Sequence, residues 1–294
     1  MEWERAKSYI LIFLLLLNAG LGLLLFIENR GYTLTAEQER LIRTILSQNN
    51  ISMDRPPPQR FPSMSPLDVR GFYYNTDATD ALVQIFFENS QTVERRREFG
   101  GYVFQDGESR LIISNGFIFY ENSNGFRQKR EAGFYPMSIE HYEVTLTHAI
   151  SLADEFVSNY FPNFRQDRYF VYEGIRIIYR EEYQGMLVHS NFIEFLVTPV
   201  GITQIEMQFG EVLGHSGTPT MIFSPDEALL TFVQRVRHLA QESPITIFDM
   251  DLVYFQEYVS NQDSIYNAVP FYRIFTCLGD RPFLINAFTN VIID

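Results

Sequence analysis

The chain has 294 residues, of which 46% are hydrophobic and 15% aromatic, so it can bury substantial cores and is not disordered. Its 36 acidic residues outnumber its 23 basic ones and give a formal net charge of −13, which excludes binding to nucleic acid, since that requires clustered Lys and Arg. The single cysteine, Cys277, excludes an internal disulfide, and the apolar run around it predicts a small buried side chain.

The first predicted element is a membrane-spanning helix at Ser8–Ile27. This stretch carries no charge, and about 20 residues of helix reach roughly 30 Å, the thickness of a bilayer core. A cleaved signal peptide would place its small residues after the apolar run, whereas Ala19, Gly20 and Gly22 lie inside it. We therefore expect the segment to stay in the membrane.

Basic residues set the predicted orientation of this helix. Arg5 and Lys7 precede it, and the positive-inside rule then predicts a cytoplasmic tail at residues 1–7. A lipid anchor would need a cysteine just after the apolar run, and the only cysteine lies near the other end of the chain. The sequence therefore predicts a single-pass protein of the cell membrane with an extracytoplasmic C-terminal part.

Polar and small residues on the predicted span indicate a contact with another helix. A lone carboxamide such as Asn18 is costly in hydrocarbon unless a polar group meets it, and Ala19 and Gly22 would let a second helix approach closely. We identify these three residues as a candidate partner-binding face within the membrane. The alternative, an asparagine that meets only the backbone of its own helix, stays open.

Residues 31–135 predict an extracytoplasmic α+β domain. Thr35 and Gln38 have the spacing of a capping box, which predicts a helix start, and the proline-rich stretch Arg55–Pro62 predicts a stiff connector. Short apolar or alternating runs predict an antiparallel meander of strands at Leu67–Phe72, Ala81–Phe87, Gly101–Phe104, Leu111–Ile113 and Phe117–Tyr120. The triple arginine Arg95–Arg97 is interpreted as a solvated loop or as the charged part of an edge strand.

The second half of the chain contains a weak internal repeat, in which each copy is a helix followed by three antiparallel strands. Residues 140–213 form the first copy, with a helix that Thr145 caps, and residues 222–294 form the second, with Ser224 as the helix N-cap. Strands are predicted at Tyr169–Tyr179, His189–Thr198, Ile202–Phe209, Thr246–Tyr258, Pro270–Leu278 and Phe283–Phe288. The predicted fold class is α+β: a single N-terminal transmembrane helix, then extracytoplasmic antiparallel sheets, each packed with a helix.

The residues that could carry chemistry predict no catalytic, cofactor or metal site. The five histidines lack the i, i+4 spacing of zinc proteases, and one cysteine cannot build a Cys-rich site. Gly214–Thr218 departs from a nucleophile elbow, because Thr218 stands where that motif has its second glycine. Asp249 and Asp251 share a strand face, but such pairs arise by chance among 36 acidic residues and are interpreted as solvated.

Several stretches resemble the YycI (WalI) family of regulatory membrane proteins. They are the start Glu2–Lys7, the run Ile12–Asn18 and the helix start Thr33–Thr35, together with the proline-rich connector and the two repeats. The C-terminal copy, from Ser224–Ala228 to Asn286–Val291, also resembles a PepSY-type module. The resemblance implies a single-pass protein that belongs to a Gram-positive two-component system.

For function, the resemblance implies a non-enzymatic regulator, with cell-wall metabolism downstream. Its implied partners are a WalK (YycG)-type sensor histidine kinase and a YycH-like sister protein, contacted through membrane and extracytoplasmic surfaces. A homodimer and a heterodimer both stay open, as does the sign of the regulation. The alternative is a PepSY-like extracytoplasmic module that binds or inhibits an extracellular peptidase or binds a wall ligand, and that the helix only tethers.

Overall fold

The computed structural model is an α+β fold in which most strand pairs are antiparallel, as the sequence predicts. It describes residues 7, 12–20, 33–71, 76–87, 92–98, 101–114, 116–122, 139–171, 174–198, 201–208, 210–256, 265–279 and 281–293. In chain order the elements are α1 (Ala36–Gln48), β1 (Ile51–Met53), β2 (Leu67–Gly71), α2 (Thr76–Phe86), β3 (Glu94–Glu98), β4 (Gly101–Asp106), β5 (Ser109–Ser114), β6 (Phe117–Asn122), α3 (Ile139–Tyr160), β7 (Phe164–Val171), β8 (Ile175–Tyr183), β9 (Met186–Thr198), β10 (Gly201–Gln208), β11 (Gly210–His215), α4 (Pro225–Glu242), β12 (Ile245–Phe255), β13 (Ile265–Thr276), β14 (Phe283–Asn286) and β15 (Ile292–Ile293).

These elements group into two compact units, neither of which is continuous in sequence. The small unit comprises Met1–Ser65, Thr218–Leu252 and Pro270–Asp294, and the large unit comprises Pro66–Gly217 and Val253–Val269. The boundaries fall within β12 and β13, so each of these strands supplies residues to both units. This division differs from the predicted contiguous domains 31–135, 140–213 and 222–294.

The small unit joins segments from opposite ends of the sequence. Strand β1 pairs in parallel with β12, with Ile51 opposite Ile245, and helix α1 contacts α4. Asn50 adds two hydrogen bonds: its Nδ2 donates to the carbonyl of Ala240 at 2.9 Å, and its carbonyl accepts from Ile245 N at 3.1 Å. Sequence periodicity carries no information about pairing over such separations, which is why the predicted domain boundaries differ.

Helices α1 and α4 of the small unit begin where the sequence predicts. Thr35 caps α1, since Gln38 N donates to Thr35 Oγ1 at 3.2 Å and Thr35 N donates to Gln38 Oε1 at 3.0 Å. At the start of α4, Ser224 N donates to Glu227 Oε2 at 2.8 Å. Helix α4 has an apolar stripe whose buried members include Ala228, Leu229, Phe232, Val233 and Val236. Local capping and the apolar stripe therefore define these helices.

The large unit is built on a sheet with the strand order β7-β8-β9-β10-β6-β5-β4-β3, in which every neighbouring pair is antiparallel. Helices α2 and α3 pack on one face of this sheet. In the core between them and the strands, Phe156 of α3 contacts Phe86 of α2 and Phe195 of β9. Strand β11 pairs with β2, which also pairs with residues 265–268 of β13. Arg95–Arg97 lie on the exposed edge strand β3, in agreement with their interpretation as the charged part of an edge strand.

The predicted strand at Ala81–Phe87 is wrong, because residues 81–86 belong to helix α2 and Phe87 follows its end. The buried residues Thr79, Leu82, Val83 and Phe86 recur at spacings of three and four, which place one stripe of the helix against the sheet. A window that starts at Ala81 contains mainly β-branched and aromatic residues and misses the first turn. The helical period therefore shows only over the longer segment.

Two predictions for the first repeat copy are also wrong. Thr145 lies inside α3, which begins at Ile139, so Thr145 is not its N-cap. The predicted strand Tyr169–Tyr179 is divided into β7 and β8, because Gly174 between them has a φ of 142°, a backbone conformation that glycine adopts much more readily than other residues. Among the described residues, α3 is followed by five strands and α4 by four, whereas three were predicted for each.

The predicted membrane span Ser8–Ile27 lies largely outside the described residues. Residues 12–20 are helical and exposed. Across the described ranges, no helix is both long enough and apolar enough to cross a membrane. The span therefore stays a prediction. The proline-rich stretch Arg55–Pro62 contains neither a helix nor a strand, in agreement with the predicted connector.

Candidate functional site

The candidate functional site is the face of the large-unit sheet opposite α2 and α3, which we name the open face. Strand register places its central row across five strands, in the order Ile178, Glu194, Glu206, Phe119 and Ile112. Its flanking rows are Arg176, Leu196, Gln204, Glu121 and Arg110 on one side, and Arg180, Phe192, Gln208, Phe117 and Ser114 on the other. All of these residues are partly exposed except Arg180, which is buried.

The alternation of side chains along each strand produces this face. In β6, Ile118 and Tyr120 point toward the helices and are almost fully buried, whereas Phe117 and Phe119 point the other way. The rings of Phe117 and Phe119 are stacked, with centroids 6.5 Å apart and planes 6° apart. A sheet face that meets only water normally carries polar side chains, so partly exposed aromatic rings here indicate a contact surface.

Ion pairs neutralise most of the charges on the open face. Arg176 Nη1 lies 2.6 Å from Glu194 Oε1, and Arg110 Nη1 lies 3.4 Å from Glu121 Oε1. The Glu206 carboxylate forms no ion pair and no hydrogen bond with any residue that the structure describes. Burial and the carboxylate of Glu194 raise the pKa of Glu206, an effect that Arg176 opposes. Glu206 is therefore the carboxylate of this face that lacks an ion pair among the described side chains.

A cavity of about 300 Å³ opens at one end of the open face. Its lining consists of Ile178, Arg180, His189, Ser190, Phe192, Glu194, Gln208, Phe255 and Gln256. The charge of Arg180 is already compensated, because its Nε donates to Asp167 Oδ2 at 2.8 Å. Its guanidinium carbon also lies 5.8 Å from the ring centroid of Phe192. Aromatic walls with a few polar groups are typical of small-ligand sites, and this volume is at the lower end of their usual range of roughly 300–1,000 Å³.

A second polar cluster in the large unit surrounds Gly210. Asn191 Nδ2 donates to Glu181 Oε2 at 2.5 Å and to the Gly210 carbonyl at 3.0 Å, and Asn191 Oδ1 accepts from Gly210 N at 3.1 Å. A Cβ atom at Gly210 would lie 2.6 Å from the Arg70 carbonyl oxygen, so this close approach requires glycine. Burial raises the pKa of Glu181, and the Asn191 hydrogen bond opposes that rise. Burial and Glu181 raise the pKa of Tyr266 to about 12. We interpret this cluster as structural.

The predicted partner-binding face in the membrane is described only in part. Asn18 and Ala19 belong to the helical residues 12–20, and both are exposed. Gly22 lies outside the described residues. The three residues therefore stay a predicted partner-binding face.

The other candidates from the sequence are paired or exposed. Arg55 Nη1 lies 3.3 Å from Asp249 Oδ2, and Arg273 Nε donates to Asp251 Oδ1 at 2.8 Å, so both aspartates have arginine partners. Cys277 is exposed rather than buried, because it lies in the turn that follows β13. Within the described part of the chain, no group of three His, Cys, Asp or Glu residues could hold a metal ion.

Sequence reasoning located most strands of the open face but assigned no function to any of its residues. A signal was nevertheless present in β6, where residues 117–120 read Phe-Ile-Phe-Tyr and are apolar or aromatic at consecutive positions. Such a run predicts a strand that is covered on both faces, whereas alternation predicts one that is half exposed. Helices cover one face of this strand, and the apolar run places aromatic side chains on the other face as well.

Comparisons with known proteins bear on the fold. No protein-family model matches the chain, and no curated protein matches it either. An uncharacterized protein from Eubacterium rectale ATCC 33656 has a similar structure, with a TM-score of 0.52 and 11% identity over 83% of this chain and 91% of that chain. This similarity shows a shared fold.

Two further solved structures are similar at lower scores. YycH from Bacillus subtilis has a TM-score of 0.48 and 11% identity over 79% of this chain and 55% of that chain. The C-terminal domain of YpeB from Bacillus megaterium has a TM-score of 0.39 and 10% identity over 76% of this chain and 96% of that chain. At these scores and identities, neither similarity carries a conclusion about function.

Proposed function

We propose that this chain is a non-enzymatic, membrane-anchored regulator of a WalK (YycG)-type sensor histidine kinase that controls cell-wall metabolism. It acts together with a YycH-like partner, with its N-terminus in the cytoplasm and the residues after the span Ser8–Ile27 outside the cell membrane. The sequence resemblance to the YycI family supports this choice of partners. The open face supports a mechanism that works through protein binding.

The observation that carries the proposal is the aromatic character of the open face. Its central and flanking rows contain Ile112, Phe117, Phe119, Phe192 and Leu196, all partly exposed. Aromatic residues are enriched at protein interfaces, and a rigid sheet loses little conformational entropy when a partner covers it. We infer that the extracytoplasmic contact with the kinase or with the sister protein forms here.

The anchor supplies the second contact. Asn18, Ala19 and Gly22 would face a helix of the kinase, where the carboxamide forms an interhelical hydrogen bond. A bound protein shifts the equilibrium of a kinase only by its difference in affinity for the two states. The chain must therefore bind one signalling state of the kinase more tightly than the other.

The test reconstitutes the full chain, the kinase and the YycH-like protein of the same organism in liposomes. Asn18→Leu is expected to weaken co-purification with the kinase roughly threefold to tenfold, because it removes an interhelical hydrogen bond. Phe119→Asp, which adds a charge to the centre of the open face, is expected to weaken binding about tenfold. Both variants should also change kinase autophosphorylation.

Leu230→Asp is the matched control, since Leu230 is an exposed apolar residue on α4 of the small unit. Its unfolding temperature and that of Phe119→Asp show whether each variant is folded. Unchanged kinase binding and autophosphorylation in both Asn18→Leu and Phe119→Asp would reject the proposed mechanism. An effect of only one variant would assign the contact to the membrane or to the open face alone.

The cavity favours a second candidate, a PepSY-like binding or peptidase-inhibitory module that the helix only tethers. Its aromatic and polar lining suits a small ligand or one side chain of a bound peptide. In the same assay, residues 1–30 would be replaced by an unrelated membrane anchor. Retained regulation would favour the tethered module, and lost regulation would favour a specific contact in the membrane.

A further inference from the structure

One carboxylate at the centre of the open face forms no ion pair with any residue that the structure describes. Glu206 of β10 is directly opposite Glu194 of β9 on one side and Phe119 of β6 on the other. Arg176 pairs with Glu194 at 2.6 Å, and no described residue pairs with Glu206. Like charges directly opposite each other in a sheet are destabilising, so this arrangement costs stability in the isolated chain.

The surroundings of Glu206 make this cost larger than at an ordinary surface position. Its row continues into the apolar residues Phe119 and Ile112. Burial and Glu194 raise the pKa of Glu206, and the attraction of Arg176 only partly opposes that rise. A carboxylate in an apolar environment is stabilised mainly by a cation that is brought to it. A residue that destabilises the free protein but stabilises its complex with a ligand is typical of a functional site.

We propose that Glu206 accepts the ammonium or guanidinium group of a Lys or Arg residue that projects from an apolar surface of a partner protein. The proposal rests on the binding function proposed above and specifies the chemistry of the surface that meets the open face. Phe117 and Phe119 would cover the aliphatic part of the incoming side chain. Once water is excluded, the attraction between the two charges is stronger than at an exposed site.

The charges of the chain itself argue for a different protein as the occupant. A second copy carries the same formal charge of −13 and would meet the open face with overall repulsion. On the described part of the face, the arginines Arg110 and Arg176 are already held by carboxylates. A different protein that carries a basic residue in apolar surroundings avoids the repulsion between two copies and supplies a cation that is not already paired.

The test uses the full chain in lipid nanodiscs and two synthetic peptides, acetyl-Phe-Ser-Lys-Ser-Phe-amide and its counterpart with Gln in place of Lys. In an extended peptide the first, third and fifth side chains share one side, so the first peptide presents a Lys between two aromatic rings. We expect the Lys peptide to bind the wild-type chain about tenfold more tightly than the Gln peptide, as for one partly desolvated charge pair. Titration at physiological salt measures both dissociation constants.

Two variants assign this preference to one residue. Glu206→Gln should abolish the tenfold preference for the Lys peptide. The matched control Glu211→Gln, which alters a carboxylate of the large unit that Arg70 already pairs outside the rows of the open face, should keep it. Unfolding temperatures check that both variants are folded, and Glu206→Gln is expected to be at least as stable as the wild type.

Equal binding of the two peptides, no binding of either at millimolar concentration, or a preference that survives in Glu206→Gln would each overturn the proposal. These readouts are independent of the kinase assay. A chain that regulates the kinase through the open face but shows no preference for Lys would retain the proposed function and lose this inference. The reverse result would keep the Lys site and reject the kinase as its partner.

Discussion

At the scale of single residues, burial decides which side chains resist ionisation. Burial raises the pKa of Glu181 above its ordinary value of 4.5, although the hydrogen bond that Asn191 donates opposes this rise. A carboxyl whose pKa is higher in the folded state binds its proton more tightly there. Its contribution to stability is therefore fully present at pH values below 4.5 and is lost as the pH rises through the folded-state pKa.

The prediction is that Glu181→Gln gains stability relative to the wild type as the pH rises from 4.5 toward neutrality. Glutamine keeps an oxygen that accepts from Asn191 but carries no charge, so it avoids the cost of a buried carboxylate. The free energy of unfolding in urea, measured from pH 4 to pH 8, checks this. Glu182→Gln, at the neighbouring position, where Arg165 pairs the carboxylate, controls for the loss of one negative charge. A stability difference independent of pH would contradict the assignment.

Residues that contact near neighbours in sequence were predictable. Residues whose contacts depend on the register between strands were not. Thr35 caps its helix through Gln38, three positions along the chain, so spacing alone identifies the pair. Glu206 is significant because Glu194 and Phe119 lie opposite it, and that register depends on the pairing of three strands. No pattern within one strand contains this information.

At the scale of elements, the helix α1 offers a direct measure of what a cap contributes. Thr35→Ala removes the acceptor for Gln38 N and should lower the free energy of unfolding of the small unit by about 1 kcal/mol. Thr44→Ala makes the same chemical change on the exposed side of α1 and should leave stability unchanged or slightly raised, since alanine favours helix. Chemical denaturation of both variants measures the difference. Equal effects of the two would show that the cap does not stabilise α1.

Elements were predicted well where a start signal and a long periodic segment coincide, as at Ser224 and the stripe of α4. The prediction failed for α2, where β-branched and aromatic residues at 81–87 favour a strand. Packing of Leu82, Val83 and Phe86 against the sheet outweighs that preference. Tertiary contacts thus decide the structure of short segments with mixed signals.

At the scale of the whole molecule, the path of the chain explains why contiguous domains were predicted. The sequence offers a proline-rich connector and two repeat copies, which favour boundaries between consecutive segments. The structure instead assigns Met1–Ser65 to the small unit together with α4 and parts of β12 and β13. Parallel pairing of Ile51–Met53 with Ile245–Ile247 is a contact between distant segments that only the folded chain reveals.

Because residues 34–65 supply α1 and β1 to the small unit, we expect the folding of this unit to require them. Deletion of residues 34–65 removes α1 and β1, leaves the β12 edge at Ile245 and Ile247 without its parallel partner, and removes the Asn50 hydrogen bond to Ala240. We expect amide hydrogens at residues 245–247 to lose most of their protection from exchange, because both buried apolar contacts and hydrogen bonds are lost. Deletion of residues 1–30 is the control and should leave that protection intact. If the chain without 34–65 kept a protected β12, the C-terminal segments would fold by themselves, and the predicted boundary at residue 222 would be the correct one.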